Sequence, residues 1–549
     1  MAQRSGLELL SEDSTGPDGK KGRTLVIAGS VTLAIDIVLE DNIVRNISLA
    51  FHESPPSVTE HAEAAGAILL ADLQLLPNQS PLTKTLDNFA ANFERLANLD
   101  KLSISPGLDC QEALAGIFVS LGKLHEWEVA RLKEEPGGSS KPNEHLSAMA
   151  LCTRSGKPVM HSRGKVGVAL QYWKDSHLVH PSTAKIAAYR QRTEKVWSLL
   201  LGCAAIDHGG LLPVRVSENW ISNDIVKIDD GMDSKIAPFD WLEPDNVVLS
   251  SSEETKDTGM EMLQSDLSTA RVPRVMFTAT FDPPVILPQN EWARLYSIAN
   301  LEPPNIGMND FNRPSPPTFD SLFFPIAPGV KVDPSETRSL TRWQTVTSHS
   351  SQHDGSGSSY CNTLFIYKPI YSQTISEIPF SHPRQLVEMM PLLRQFAFLA
   401  TLLENSFGNK KTYNAVPKSS STLAIAKTDS MTTKADELRD FLNGTDSTQQ
   451  DGVQSDKNRD APINLDVILN VHPVPQLQVV FPFMDSTANI SVQISIGGVV
   501  EVLSENVLRK MSPLRTEKLD GLTSESLGKA LQRLEDLGSW AEWIRTRLS

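Results

Sequence analysis

Two histidine pairs carry the spacing of a metal site. His177 and His180 stand three residues apart and His349 and His353 four apart, which on a helix puts both rings on one face. The first pair lies in "DSHLVHPS", just ahead of a helical pattern. The second lies in "SHSSQHDGSGSS" (348–359), a Ser/Gly-rich run with no rigid neighbour to orient the rings. Asp229-Asp230-Gly231 has the start of a calcium loop, but Val226 and Ile228 sit where oxygen ligands belong, which leaves a plain turn. "SGKP" (155–158) lacks the upstream glycine of a phosphate loop and has Pro158 in the Ser/Thr place. Neither a GxSxG elbow nor a GxGxxG fingerprint occurs. The 66 carboxylates include no pair singled out by spacing. His382, followed by Pro383, reads as a helix entry. These residues assign no catalytic group, no metal and no cofactor. The enzymatic alternative is a hydrolase whose site is assembled from distant residues.

One motif suits docking instead. Leu399-Ala-Thr-Leu402-Leu403, within "PLLRQFAFLATLLEN" (391–405), has LxxLL spacing. With leucine at roughly a tenth of residues, chance alone supplies about half a match in a chain this long. On a wheel of about 100° per residue, Leu386, Met389, Leu393, Phe396, Ala400 and Leu403 share a broad apolar face, with Leu399 at its edge. Leu402 falls on the narrow side with Arg384, Glu388 and Gln395. The helix therefore reads as core, with Leu402 as the one leucine placed to meet a partner. Pro391 should kink or restart it.

Composition narrows the field. At 549 residues the chain exceeds one ordinary core. Apolar residues make up 40% and charged residues 21%, as in a mainly folded protein with polar inserts. The net charge of −15 repels phosphate backbones, so direct nucleic-acid binding is disfavoured, as are acidic partners. Cys110, Cys152, Cys203 and Cys361 lie far apart without a CxxC, and read as reduced, mostly buried thiols. The first residues have no apolar signal region, and no apolar run approaches 18 residues, so no membrane is implied.

The elements that would position these residues follow from periodicity. Residues 1–22 read as a disordered tail. In 23–53, Val31, Leu33, Ile35, Ile37 and Leu39 alternate, Asp41-Asn42 turns, and Ile43, Ile47, Leu49 and Phe51 continue a β-meander. Leu82, Leu86, Phe89, Phe93, Leu96 and Leu99 form one helical stripe, and Leu114, Ile117, Phe118, Leu121, Leu124 and Trp127 a second. We expect strands over 146–173, a helix over 182–203, and strands at 274–288 and near 361–371. Beyond a polar stretch at 408–462, alternation returns in 463–469, 477–483 and 490–496, with Gly497-Gly498 as a hairpin turn. Leu527, Leu531, Leu534, Leu537, Trp540, Ile544 and Leu548 read as one closing helix.

That closing segment, "LEDLGSWAEWIRTRL" (534–548), resembles the end of the conserved domain of the Mediator complex subunit 1 family, in its fungal form. Other stretches match the family in the same order. They include "GLELLSEDS" (6–14), "RTLVIAGSVTLAIDIVLED" (23–41), "VWSLLLGCAAIDHGGLLPVRVSENWIS" (196–222), "FDPPVILP" (281–288), "IPFSHPRQLVEMMPLLRQFAFLATLLENSF" (378–407) and "PVPQLQVVFPF" (473–483). The resemblance implies a nuclear, non-enzymatic coactivator subunit. Its partners would be other Mediator subunits of the middle module, transcriptional activators and, indirectly, RNA polymerase II. It also leads us to expect helical sequence ahead of Gly6, where five residues stand. In animal relatives a tail with LxxLL boxes follows the conserved domain, and receptor docking through such a tail is not carried over. A cytosolic scaffold or trafficking adaptor is the further alternative.

The expected fold is α+β with several subdomains: antiparallel β-rich units at both ends, packed amphipathic helices and long disordered inserts. Its divisions would be 1–22 tail, 23–228 N-terminal subdomain, 229–269 linker, 270–407 middle subdomain, 408–462 insert and 463–549 C-terminal subdomain with the closing helix.

Overall fold

The computed structural model describes residues 1–15, 21–75, 79–105, 107–176, 178, 195–207, 211–227, 238–247, 272–304, 316–325, 337–347, 357–408, 462–508 and 522–548. The fold is α+β, as expected, with three large sheets.

The first sheet is a four-stranded antiparallel meander: β1 (Glu8–Thr15), β2 (Lys21–Ala28), β3 (Leu33–Glu40) and β4 (Ile43–Phe51). The expected Asp41-Asn42 turn is present, both residues at positive φ, 50° and 63°, as a two-residue hairpin requires. Leu33, Ile35 and Ile37 point inward onto helices α2 (Ala62–Leu73) and α3 (Asp87–Leu102), which follow the short α1 (Pro56–Thr59). The tail expected over 1–22 is not one where it is described. Residues 2–5 form a 3-10 turn, and β1 pairs with β2 along its whole length. The polar residues Ser11, Glu12 and Asp13 hid this strand, because an edge strand need not alternate apolar and polar.

The second sheet has the antiparallel order β13-β10-β7-β6-β5. Its members are β5 (Lys157–Ser162), β6 (Lys165–Lys174), β7 (Val196–Ala205), β10 (Val275–Pro288) and β13 (Ser372–Phe380). Helices α4 (Cys110–Glu134) and α5 (Asn143–Thr153) pack on β5 and β6. Two expectations fail here. Residues 143–153 are helical, since Ala, Met and Leu in "LSAMALC" favour a helix over a strand. Residues 196–205 are a strand where a helix was expected. Trp197 to Leu201 are all buried, and a short continuous apolar run fits a doubly covered strand as well as a helix. Tyr189 lies outside the described residues. A short pair, β8 (Ile221–Val226) with β9 (Phe239–Trp241), sits apart from this sheet.

The third sheet has the order β11-β12-β14-β15-β16-β17: β11 (Arg338–Thr347), β12 (Gly357–Ile366), β14 (Ile463–Asn470), β15 (Gln476–Phe483), β16 (Ser486–Ser495) and β17 (Val499–Ser504). Gly497 and Gly498, at φ 85° and 79°, make the expected hairpin. β12 and β14 run parallel, which needs a crossover; residues 367–462, with β13 and the central helix, supply it. The expected divisions do not separate these sheets. The second sheet joins strands from 157–205 with strands from 275–380, and the third joins 338–366 with 463–504.

Helices fill the spaces between sheets. α6 (Gln289–Ile298) and α7 (Phe319–Phe323) pack beside β10 and β13. α3 lies between the first two sheets. Its Asp100 grips the first, while Asn92, Arg95 and Asn98 bond backbone oxygens of Gly164, Val166 and Cys203 in and beside the second. Its stripe begins at Phe89, not Leu82, which is 96% exposed in a 3-10 turn before the helix. The closing helix is two: α9 (Ser524–Leu534) ends at Glu535, φ 52°, and α10 (Leu537–Leu548) is capped by Asp536, whose Oδ1 accepts from Ser539 N at 2.6 Å.

Candidate functional site

The central helix, α8 (Pro383–Phe407), contains the LxxLL motif. His382 caps it: its Nδ1 accepts from Arg384 N at 3.0 Å, and Gln385 returns a bond to the His382 backbone at 3.2 Å. One helix of 25 residues passes through Pro391, which neither ends nor restarts it. It lies between the second and third sheets. Phe398 meets Trp173 of β6 edge to face, Gln395 Nε2 donates to Ile494 O of β16 at 2.7 Å, and Asn362 Nδ2 of β12 donates to Ser406 O at 2.9 Å. The helix is apolar and long enough to cross a membrane by composition, but 78% of that stretch is buried inside the protein.

This setting corrects Leu402. It is fully buried, 0% exposed, as are Leu399 and Leu403. The wheel assigned it to a partner-facing side because Arg384, Glu388 and Gln395 lie there. Only the first turns of that side reach solvent; further along, the third sheet covers it. Arg394 is buried as well. Its guanidinium donates to the carbonyls of Tyr172 (3.0 Å), Leu151 (2.8 Å) and Arg154, and burial lowers its pKa to about 10.

Near the end of α8 is a cluster that sequence spacing did not show. Asp175, just past β6, accepts from Thr401 Oγ1 at 3.3 Å. Glu535, between α9 and α10, accepts from Ser176 N at 2.9–3.0 Å. Glu404 pairs with Lys195 at 2.6 Å. Burial first, and Glu535 second, push the Asp175 carboxyl up to about 7. An unfolded chain releases that proton near 3.8. Between the two values the folded state binds more protons, so this group's contribution to stability falls as pH rises from about 4 to about 7, and is level above. Asp175→Asn, neutral and of the same shape, should remove that slope, which is on the order of a few kcal/mol. Urea midpoints at pH 5 and 8 for both proteins test this; parallel changes would reject it.

Two cavities border the helix. One, of about 230 Å³, is walled by Trp197, Pro283, Phe319, Phe323, Phe396 and Ala400, with the Lys195–Glu404 pair beside them. It offers apolar burial, and its charges already neutralise one another. The other, an open cleft of about 560 Å³, includes His382, Arg215, Glu243 and Ser381. With Nδ1 accepting, Nε2 carries the proton and donates to Leu242 O at 2.9 Å, so the ring has no lone pair left for base catalysis. Burial also lowers its pKa. Ser381 Oγ donates to Gln385 Oε1 at 3.3 Å and is not activated.

The remaining sequence candidates divide simply. His177, His180, His349, His353 and Asp229-Asp230-Gly231 lie outside the described residues. In "SGKP", Ser155 is bound to the buried Glu128 carboxylate through N and Oγ (2.8–3.2 Å), so the segment serves packing. Cys110, Cys152 and Cys203 are buried free thiols, and Cys361 is half-buried. Trp343 of β11, 69% exposed on a terminal strand, is an aromatic with no marker in its sequence. Its neighbours in "RSLTRWQTVT" gave no clear apolar alternation to mark it.

A family model described as Mediator of RNA polymerase II transcription subunit 1 matches residues 1–408. The match takes in the first two sheets, β11, β12 and α8. It ends before 473–483 and 534–548, two of the stretches that carry the sequence resemblance. Comparison with curated proteins gives no match.

Proposed function

Because this chain belongs to the family of Mediator of RNA polymerase II transcription subunit 1, we propose that it works in the nucleus within the middle module, linking activators to RNA polymerase II without a catalytic step of its own. The family is a non-enzymatic coactivator component and associates with other Mediator subunits. The observation that carries the reading is the match over 408 of 549 residues. The polar chemistry supports it. The buried Arg394, Glu128 and His382 all bond to the protein's own backbone, which is how polar groups hold a fold together.

Affinity purification of the tagged chain from nuclear extract tests this. Middle-module subunits should co-purify with it, and the tagged chain should concentrate in the nucleus. An intact, purified Mediator lacking the chain would overturn the proposal, and a purely cytosolic chain would favour a scaffold elsewhere.

A further inference from the structure

Among the described residues, β1 is the one terminal strand of the three large sheets with no α-helix packed closely on it; besides β2, its main neighbour is the 3-10 turn of residues 2–5. β4, β5, β11, β13 and β17 all have one. Gly528 of α9 shows how close such packing comes, since a Cβ there would meet Val500 O of β17 at 2.7 Å. β1 pairs with β2 on one side, and no strand among the described residues pairs its other edge. An open edge presents backbone N–H and C=O groups to any extended chain that can match them.

The side chains say what kind of chain fits. Leu9 and Leu10 are 45% and 62% exposed, one on each face of the strand. Leu10 stands between Glu8 and Glu12 on the outer face. Two strands further in, Asp36 and Glu40 share that face. Arg45 pairs with Glu40 at 3.3 Å, and Arg23, on the inner side, lies 3.6 Å from Asp13. Glu8 and Glu12 have no such cation among the described contacts, and the whole chain carries −15. A second copy pairing antiparallel about Leu10 would set each Glu8 against the other copy's Glu12, which is repulsive.

We propose that β1 is the docking edge for an extended segment of another Mediator subunit, in which aliphatic side chains alternate with lysine or arginine. The backbones pair, the aliphatic groups cover Leu9 and Leu10, and the cations meet Glu8 and Glu12. This rests on the Mediator assignment above.

The test compares amide hydrogen exchange in the free chain and in Mediator purified through it. Amides of residues 8–15 should slow about tenfold or more on assembly. Glu8→Lys with Glu12→Lys, at exposed positions where melting should not change, should reduce recovery of Mediator subunits about tenfold or more, and Glu8→Gln with Glu12→Gln less. Unchanged exchange at 8–15 together with normal recovery of the double-lysine variant would overturn the inference and leave the Mediator assignment standing. Protection that grows with concentration in the free chain would show self-association and overturn it too. Wild-type chain that recovers no Mediator subunit would remove both.

Discussion

Asp100→Ala should destabilise the fold by about 2–6 kcal/mol, the cost of orphaning two buried backbone donors. Asp100 is 1% exposed on α3, and its carboxylate accepts from Ser30 N (2.6 Å), Val31 N (3.3 Å), Thr32 N (2.9 Å) and Leu33 N (3.0 Å). Three of these donors lie in the turn between β2 and β3, and Leu33 opens β3. Ser30 and Val31 are exposed and can turn to water, whereas Thr32 and Leu33 are buried and cannot. Gly29 is part of the same device, since a Cβ there would meet Asp100 Oδ2 at 2.6 Å. Asp100→Asn should cost less, because its Oδ1 can still accept from Val31, Thr32 and Leu33, and its NH₂ would face only Ser30 N, which can turn to water. Urea denaturation followed by circular dichroism measures both; a cost below about 1 kcal/mol for the alanine variant would show that the carboxylate is not what holds the turn.

Leu402→Ala should cost about 2–5 kcal/mol, as expected for a leucine deleted from a packed core. Its effect on association with Mediator should follow from lost stability alone. Leu402→Met, which conserves volume, should cost under about 1.5 kcal/mol and leave co-purification unchanged. Weakened partner binding at full stability in Leu402→Ala would return this leucine to the surface and the motif to a docking role.

Leu402 also shows where sequence reasoning stops. A wheel records one apolar face and assumes water behind the other. α8 has a sheet on both sides, and buried polar residues such as Arg394 and Gln395 are satisfied by backbone carbonyls. No periodicity reports that arrangement. The strands of the third sheet were legible because each buries one face, and Leu477, Val479, Phe481 and Phe483 alternate plainly. β7 was not, because Trp197 to Leu201 are covered on both faces. The break at Glu535 was hidden for a different reason. A glutamate at positive φ has no local signature, and its reason lies 359 residues away at Ser176 N. The carboxylates Asp175, Glu404 and Glu535 likewise meet only through the fold, so spacing could not pair them.

The order of synthesis gives the central helix a hazard of its own. α8 is finished at Phe407 with β11 and β12 of the third sheet already made, but the four remaining strands of that sheet, which complete the cover on this side, arrive only between Ile463 and Ser504. At roughly 5–20 residues per second, the ribosome needs about 5–20 s for that interval. During it, a nascent helix apolar enough to enter a lipid bilayer has a bare flank. The newborn chain should therefore recruit holdase chaperones at that point, and slowing translation just past residue 407 should lengthen its exposure to aggregation.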